Sequence, residues 1–300
     1  MRIPNNFLQC VTFLGVTLTE GPSAGEFFCL GTAFLIVMEQ DGQPFSYLVT
    51  ARHVLDEAQR GGFKTLQARF NRKEGGVEVV PLSDDHRIRF TSGAVDLAVY
   101  EHSIDFNTFE CSALQLKTFA DNQTISMYNI GPGDELFTIG LFSLREGRRR
   151  NIPIVRSGII AAMPNEFEPF TNNGEPYHAY LAEMRSIGGL SGSPVFIFID
   201  HRSRVVPQPN VISLHQPDWT IFCIGIIQGH WDLKRNTDDS VVLPGQTDDV
   251  RLGFSKGENL NTGIAMVTPS QYLLTLLNHE KLKERRRTAI RETNRWVNPQ

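Results

Sequence analysis

The sequence predicts an all-β protein of two packed units with a helix near its C-terminal end. Short runs rich in Val, Ile, Phe and Tyr alternate with Gly, Pro, Asn and Asp, at spacings typical of β-barrels. The chain has 300 residues, of which 41% are hydrophobic, enough for two cores. A polar segment at 117–123 and the loop signal Gly131-Pro132-Gly133 mark the boundary between the units.

Strand patterns occur along both units. The first lies within residues 7–18, an apolar run interrupted by Gln9, Thr12 and Thr17, which favours a strand over a signal peptide. A hairpin is predicted for 27–37 and 45–49 around the Asp41-Gly42 turn, so that His53 follows a strand end. Further strands are predicted at 93–100, 135–142, 154–162, 194–199 and 222–228.

The C-terminal helix has its own signals. Pro269 suits the first helical turn with Thr268 as the cap, and apolar residues then recur at helical spacing. These apolar residues are Tyr272, Leu273, Leu276 and Leu277. A polar stretch from 278 to 295 follows, and a long polar loop is predicted from 232 to 261.

Charge, cysteine spacing and hydropathy exclude several classes of protein. The net charge of −4 and isoelectric point near 6.1 give no reason to expect a nucleic-acid partner. Cys10, Cys29, Cys111 and Cys223 are far apart and lack metal-ligand spacing, so we expect reduced thiols, no metal and no cofactor. No apolar run is long enough to span a membrane, and we expect a cytoplasmic protein.

The segment Gly189-Leu190-Ser191-Gly192-Ser193-Pro194 carries the main chemical signal. Two glycines around a serine let the backbone turn sharply and bring amide N–H groups near a reacting atom. His53 lies upstream in Thr50-Ala51-Arg52-His53-Val54, and Asp96 lies between them in an otherwise apolar run. A buried carboxylate there needs a partner, and an imidazolium would provide one.

These residue types fit nucleophilic catalysis. Ser191 would be the nucleophile, His53 the base that takes its proton, and Asp96 the acid that orients the imidazole. Ser193 is an alternative nucleophile. Ser191 is preferred because glycine at position 189 lets the N–H groups of Gly189 and Ser191 point together at a developing oxyanion.

Together these motifs resemble a bacterial trypsin-like serine peptidase of the chymotrypsin fold, in the broad group that includes glutamyl endopeptidases. The resemblance covers about residues 8–277 and includes Gly225-Ile226-Ile227-Gln228-Gly229 and Thr262-Gly263-Ile264. It implies two six-stranded β-barrels, residues 1–125 with His53 and Asp96 and residues 126–277 with Ser191, and a basic helical extension at 278–300. A peptide would lie in the cleft between the barrels.

The resemblance also implies which residues bind substrate. They are Arg185, Ser186, Ile227, Gln228, Gly229, His230 and Gly263. Arg185 or His230 would favour an acidic side chain before the cleaved bond, because a cation in a partly dry pocket binds a carboxylate.

The chain departs from the family in several places. No cysteine flanks His53, which fits a reducing compartment, and Gln228 replaces a serine found near the aspartate in many relatives. Leu190 stands where zymogens of the family keep an aspartate that pairs with a new N-terminus, so the full-length chain is expected to be competent without processing. Leu190 would instead order its loop by packing into the second barrel.

Three functions follow from these observations. The first is an active serine endopeptidase, and the second is a peptide-binding pseudoenzyme that keeps the groove. The third is a protease effector regulated in a larger assembly, with a protein partner bound by the basic extension or by the Arg-rich segment 145–151.

Overall fold

The structure is a computed structural model of the chain. It describes residues 2–63, 65–82, 87–89, 94–142, 147, 149–172, 174–184, 189–201, 219–235, 241–242 and 259–297.

The first half of the chain forms one eight-stranded sheet. Its strands are β1 (Val11–Thr17), β2 (Phe27–Gln40), β3 (Gln43–Thr50), β4 (Gln67–Asn71), β5 (Val77–Pro81), β6 (Arg87–Arg89), β7 (Ala98–Glu101) and β8 (Leu114–Gln115). Their order is β5-β4-β1-β2-β3-β7-β6, and β8 pairs with β2. Because these described strands do not close on themselves, the prediction of a six-stranded barrel for residues 1–125 is not confirmed.

The second half forms a closed antiparallel barrel. The described strands of this half are β9 (Glu135–Leu141), β10 (Pro153–Ala162), β11 (Phe170–Asn172), β12 (Glu175–Tyr177), β13 (Tyr180–Glu183), β14 (Pro194–Asp200), β15 (Trp219–Arg235), β16 (Val241–Val242) and β17 (Asn259–Pro269). Six strands in the order β14-β9-β10-β13-β17-β15 form the barrel, which closes where β14 pairs with β15. Strand β16 also pairs with β15, and β11 and β12 form a separate hairpin. The predicted six-stranded barrel is therefore confirmed in this half.

Five helices complete the described part of the chain. They are α1 (Asn5–Leu8), α2 (Arg52–Arg60), α3 (Asn122–Met127), α4 (Ser270–Leu277) and α5 (Glu280–Val297), with a 3₁₀ turn at Leu116–Thr118. None of these helices is both long and apolar enough to cross a bilayer.

The structure corrects the predicted start of the chain. The apolar run at 7–18 is not one strand, because its first residues form α1 and only Val11–Thr17 form β1. The helical turn lets Phe7 leave the first sheet and pack against Phe196 of the barrel, with ring centroids 5.1 Å apart. From Val11 onward the chain pairs with β2 and β4.

Three other boundaries differ from the sequence prediction. Asp96 precedes β7 rather than lying within a strand. Part of the predicted 232–261 loop is strand, because β15 continues beside β17 as far as the pair Lys234 and Asn259. Helix α4 begins at Ser270, with Pro269 at its N-cap, and the Thr268 hydroxyl bonds to Gln228 rather than capping the helix.

A shared apolar core joins the two sheets. Phe34 and Leu97 of the first half, Phe137 and Phe196 of the barrel, and Leu273 of α4 are all buried within it. Each half also has its own interior cluster. The shared core fixes the two halves against each other, which matters because the predicted site draws residues from both.

The C-terminal extension packs on the first sheet. Leu282 of α5 is buried in the shared core, and Arg286 is 1% exposed. The Arg286 guanidinium donates to Gln40 Oε1 at 2.5 Å, to Tyr47 Oη at 3.0 Å and to the Leu277 carbonyl at 2.9 Å. Helix α5 therefore links the C-terminal end of α4 to the β2–β3 hairpin.

Candidate active site

His53 and Asp96 form a close pair in which the carboxylate is buried and the imidazole is partly exposed. The Asp96 carboxylate accepts a hydrogen bond from the His53 backbone N–H at 2.8 Å, and its second oxygen lies 2.6 Å from His53 Nδ1. The Asp96 side chain is 6% exposed and the His53 side chain 31% exposed. The neighbours Val95 and Leu97 are buried, so the apolar run anchors the carboxylate while both of its oxygens reach His53.

The pair sets the protonation behaviour of the imidazole. Burial alone lowers the pKa of His53, but the Asp96 charge and hydrogen bond, with smaller contributions from Glu57 and Asp56, raise it above the usual 6.5. When the imidazole is neutral and donates Nδ1–H to Asp96, Nε2 carries the lone pair and can accept a proton.

The Ser191 turn is fastened to both halves of the molecule. Thr32 of β2 donates its N–H to the Ser191 carbonyl at 2.9 Å and its hydroxyl to the Gly189 carbonyl at 2.7 Å. On the barrel side, the Gly192 N–H donates to the Ile227 carbonyl at 2.9 Å, and the Ile227 N–H donates to the Ser193 carbonyl at 2.8 Å. The segment 189–193 is thus hydrogen-bonded to β2 on one side and to β15 on the other.

Gly192 brings the serine segment beside the histidine segment. It has φ 85°, and a Cβ there would overlap the Thr32 carbonyl and the Thr50 hydroxyl, and would lie 3.0 Å from the Ala51 nitrogen. Only glycine permits this approach. Ser191 is therefore next to the chain that enters His53, and the hydrogen bonds of the described residues leave its hydroxyl and His53 Nε2 unengaged.

Two backbone amides lie next to this hydroxyl. Gly189 has φ 95°, and among the described residues neither its N–H nor that of Ser191 is donated to another backbone carbonyl. Two such donors on one turn can bind a negatively charged oxygen.

Leu190 orders this turn from within the barrel. It is 1% exposed and lies in the interior cluster, against Gly140 of β9, as the sequence predicts. Ser193 is also fully buried against Gly140, and its hydroxyl has no hydrogen-bond partner in the described part of the chain. Ser193 is thus shielded, whereas Ser191 is half-buried.

Beside the Ser191 turn, part of one edge of β15 has no partner strand among the described residues. Strand β17 pairs along one edge of β15. On the other edge, β14 pairs with Trp219–Ile226, the serine turn is hydrogen-bonded to Ile227, and β16 pairs with Lys234 and Arg235. Between them, residues 228–233 pair with no described strand on that edge. An extended peptide can add there as a further strand.

Six of the seven predicted substrate-binding residues fall into three groups. Ile227 is fully buried in the barrel interior, so only its main chain faces the serine turn. Gly229 and Gly263 have no described atom within 4 Å of a built Cβ. Arg185 and Ser186, and the side chain of His230, lie outside the described residues.

Gln228 occupies a β-bulge between β15 and β17. Its amide donates to the Tyr177 hydroxyl at 3.3 Å, and its carbonyl oxygen accepts from Thr268 at 3.5 Å. Burial raises the pKa of Tyr177, the Gln228 hydrogen bond lowers it, and the Asp96 charge raises it further. The bulge thus turns Gln228 toward Tyr177, on the Asp96 side of the site.

The two basic segments proposed as docking sites make contacts within the chain. Arg150 pairs with Glu110 at 2.8 Å, and the Asn151 N–H donates to Asn71 Oδ1 at 2.6 Å. In α5, Arg285 pairs with Glu101 at 3.2 Å, and Arg287 pairs with two glutamates of its own helix. Arg145 and Arg148 lie outside the described residues.

Sequence reasoning missed Thr32. Its hydroxyl bonds to Gly189 and also accepts the Leu141 N–H at 3.2 Å, so one side chain of the first sheet binds two segments of the barrel. Nothing in Gly31-Thr32-Ala33 distinguishes this threonine from one that merely alternates along a strand.

Comparisons with known proteins give a partial likeness among solved structures only. No protein-family model matches the chain, and no curated protein matches it. Among solved structures, the chain is similar to the crystal structure of Deg5, with a TM-score of 0.44 and 16% identity over 75% of this chain and 81% of that chain.

Proposed function

We propose that the protein is a serine endopeptidase of the chymotrypsin type that uses Ser191, His53 and Asp96 as its triad. The observation that supports this most strongly is the Asp96–His53 pair, with 2.6 Å between Oδ2 and Nδ1, beside a serine turn whose Gly189 and Ser191 amides donate to no backbone carbonyl among the described residues. A histidine whose pKa is raised by a specific carboxylate, beside a serine in a tight glycine turn, is a candidate for a catalytic base.

The reaction follows from these positions. Ser191 Oγ attacks the peptide carbonyl while His53 Nε2 takes its proton, and Asp96 stabilises the resulting imidazolium. The N–H groups of Gly189 and Ser191 stabilise the oxyanion, each contributing about 2.7–4 kcal/mol in comparable sites. The intermediate collapses as His53 returns the proton to the leaving amine, and water, activated by the same imidazole, hydrolyses the acyl-enzyme.

An extended peptide is the substrate class that suits the open strand edge. Main-chain hydrogen bonds to residues 228–233 would align the peptide with Ser191 whatever its side chains. Gly229 lies on this stretch of β15, and no described atom lies within 4 Å of a Cβ built on it, which leaves room for substrate side chains.

The proposed enzyme is active at full length. Leu190 orders the serine turn through apolar contacts, so no newly formed N-terminal ammonium is needed there.

Peptide-library digestion followed by mass spectrometry tests the proposal. Intact wild-type protein is expected to cleave peptides, and Ser191→Ala and His53→Ala are each expected to be inactive while keeping the wild-type circular dichroism spectrum. Cleavage by Ser191→Ala at the wild-type rate, or none by well-folded wild type, would refute it. The second result would favour a peptide-binding pseudoenzyme.

A further inference from the structure

Thr32 of β2 bonds to both residues that supply the proposed oxyanion donors. Its backbone N–H donates to the Ser191 carbonyl at 2.9 Å, and its hydroxyl donates to the Gly189 carbonyl at 2.7 Å. The N–H groups of Gly189 and Ser191 can bind one oxygen together only if these two residues keep a fixed separation. Thr32 sets that separation, because both of its donors belong to one residue.

The Thr32 hydroxyl is oriented by β9. The Leu141 N–H, which can only donate, lies 3.2 Å from Thr32 Oγ1, so the hydroxyl oxygen accepts a hydrogen bond there. A hydroxyl has a single proton, and here the Gly189 carbonyl accepts it. Thr32 is fully buried, so bulk water does not reach either contact. The side chain is therefore a pre-oriented donor to Gly189.

Gly189 depends on this contact more than its neighbours in the turn do. The Leu190 carbonyl accepts the Ser193 N–H at 2.9 Å, and the Leu190 side chain packs in the barrel interior. Gly189 has no side chain to pack, and its φ of 95° is one of several values that glycine adopts at similar cost. Among the described residues, the Thr32 hydroxyl is the only donor to the Gly189 carbonyl. Loss of this hydroxyl would release Gly189 while Leu190 stayed in place.

We propose that Thr32 is a positioning residue for catalysis, whose hydroxyl holds Gly189 so that its amide and that of Ser191 bind the same oxyanion. The inference rests on the proposed peptidase function and deepens it. It gives β2 of the first sheet a part in transition-state stabilisation, although both amides belong to the second half of the chain. If the packing of Leu190 alone held the turn, the hydroxyl would add nothing to the rate.

Four variants separate the hydroxyl from the rest of the side chain. Thr32→Val keeps the branched shape and removes the hydroxyl, and Thr32→Ala removes it with less bulk, should valine prevent folding. Thr32→Ser keeps the hydroxyl. The control Thr12→Val makes the same exchange at another buried threonine, whose hydroxyl donates to the Arg69 carbonyl within the first sheet. Thermal melts show which variants are folded.

Saturation kinetics of fluorophosphonate labelling measure the rate. Ser191 Oγ attacks phosphorus, its proton passes to His53 and fluoride leaves, while the oxyanion donors stabilise charge on the phosphoryl oxygen. Thr32→Val and Thr32→Ala are expected to lower the maximum labelling rate about 100-fold, as loss of one oxyanion donor does, without changing the probe concentration that gives half of it. Thr32→Ser and Thr12→Val should label at close to the wild-type rate.

Crystal structures of the unlabelled wild type, Thr32→Val and Thr12→Val provide a readout that does not need activity. Gly189 is expected to leave its wild-type position in Thr32→Val alone. An unmoved Gly189, labelling of Thr32→Val at the wild-type rate, or equally slow labelling of Thr32→Ser would overturn the role of Thr32 while the peptidase proposal stood. If the wild-type protein is not labelled, the peptidase proposal fails, and the position of Gly189 in Thr32→Val still decides whether Thr32 holds it.

Discussion

Asp96 holds His53 at two points, through the backbone N–H at 2.8 Å and through Nδ1 at 2.6 Å. The first contact fixes the start of α2, and the second fixes the ring and its tautomer. Because one carboxylate fixes both the main chain and the side chain, the position of His53 does not depend on solvent contacts.

Replacement of Asp96 by asparagine tests the second contact. Asp96→Asn keeps the shape of the side chain but removes the charge and favours the wrong tautomer, so kcat/KM is expected to fall about 10⁴-fold. Peptide-cleavage kinetics measure the loss, and a thermal melt confirms folding. A folded variant that kept more than about one tenth of the activity would contradict the assigned role.

The pH dependence follows from the raised pKa of His53. Only neutral His53 accepts a proton, so kcat/KM should rise with pH and reach half its maximum above 6.5. In Asp96→Asn the midpoint should move to lower pH, because burial lowers the pKa and the opposing charge is absent. A pH–rate profile of both proteins measures this, and an unchanged midpoint would contradict it.

The raised pKa of His53 also makes the free energy of unfolding depend on pH. Asp96 stabilises protonated His53 in the folded protein. This pair therefore contributes most to the free energy of unfolding below about pH 6.5, the pKa of an unfolded histidine, and the contribution is lost as the pH rises through the higher pKa of folded His53. The stability difference between wild type and Asp96→Asn should therefore be larger at about pH 5 than at about pH 9.

Ser193→Ala separates the two candidate nucleophiles. The Ser193 hydroxyl is buried without a partner in the described structure, so its removal is expected to leave stability unchanged or slightly increased. Peptide-cleavage rates should stay within about threefold of wild type. Loss of activity in Ser193→Ala with activity retained in Ser191→Ala would reverse the assignment.

Arg286→Met tests the attachment of α5. The change leaves the Gln40 amide oxygen, the Tyr47 hydroxyl and the Leu277 carbonyl without their donor, and should lower the free energy of unfolding by about 3 kcal/mol. The control Arg287→Met removes an exposed arginine that pairs within its own helix and should change stability by less than about 0.5 kcal/mol. Urea denaturation of both variants measures the difference, and equal stabilities would show that α5 is not anchored through Arg286.

The hairpin before His53 is the part of the fold that local sequence determines most fully. Asp41 and Gly42 have φ of 50° and 75°, as a two-residue hairpin turn requires, and β2 and β3 pair in register up to that turn.

Helix α2 has no capping signal in the sequence, because Ala51 at its N-cap makes no side-chain hydrogen bond. It is therefore not predicted from the sequence.

Contacts between distant segments were the least predictable. Thr32 bonds to Gly189 across 157 positions, and Arg286 bonds to Tyr47 across 239. Neither side chain belongs to a local pattern, since the partners come together only when the two halves pack. The order His53, Asp96, Ser191 was readable because each residue sits in its own short motif.

Labelling with an active-site-directed fluorophosphonate tests the central claim most directly. Intact wild-type protein is expected to take up one phosphonyl group, and peptide mapping by mass spectrometry should locate it on Ser191, with labelling lost in Ser191→Ala and in His53→Ala. An adduct on Ser193, labelling that persists in His53→Ala, or no labelling of well-folded wild-type protein would contradict the proposed triad.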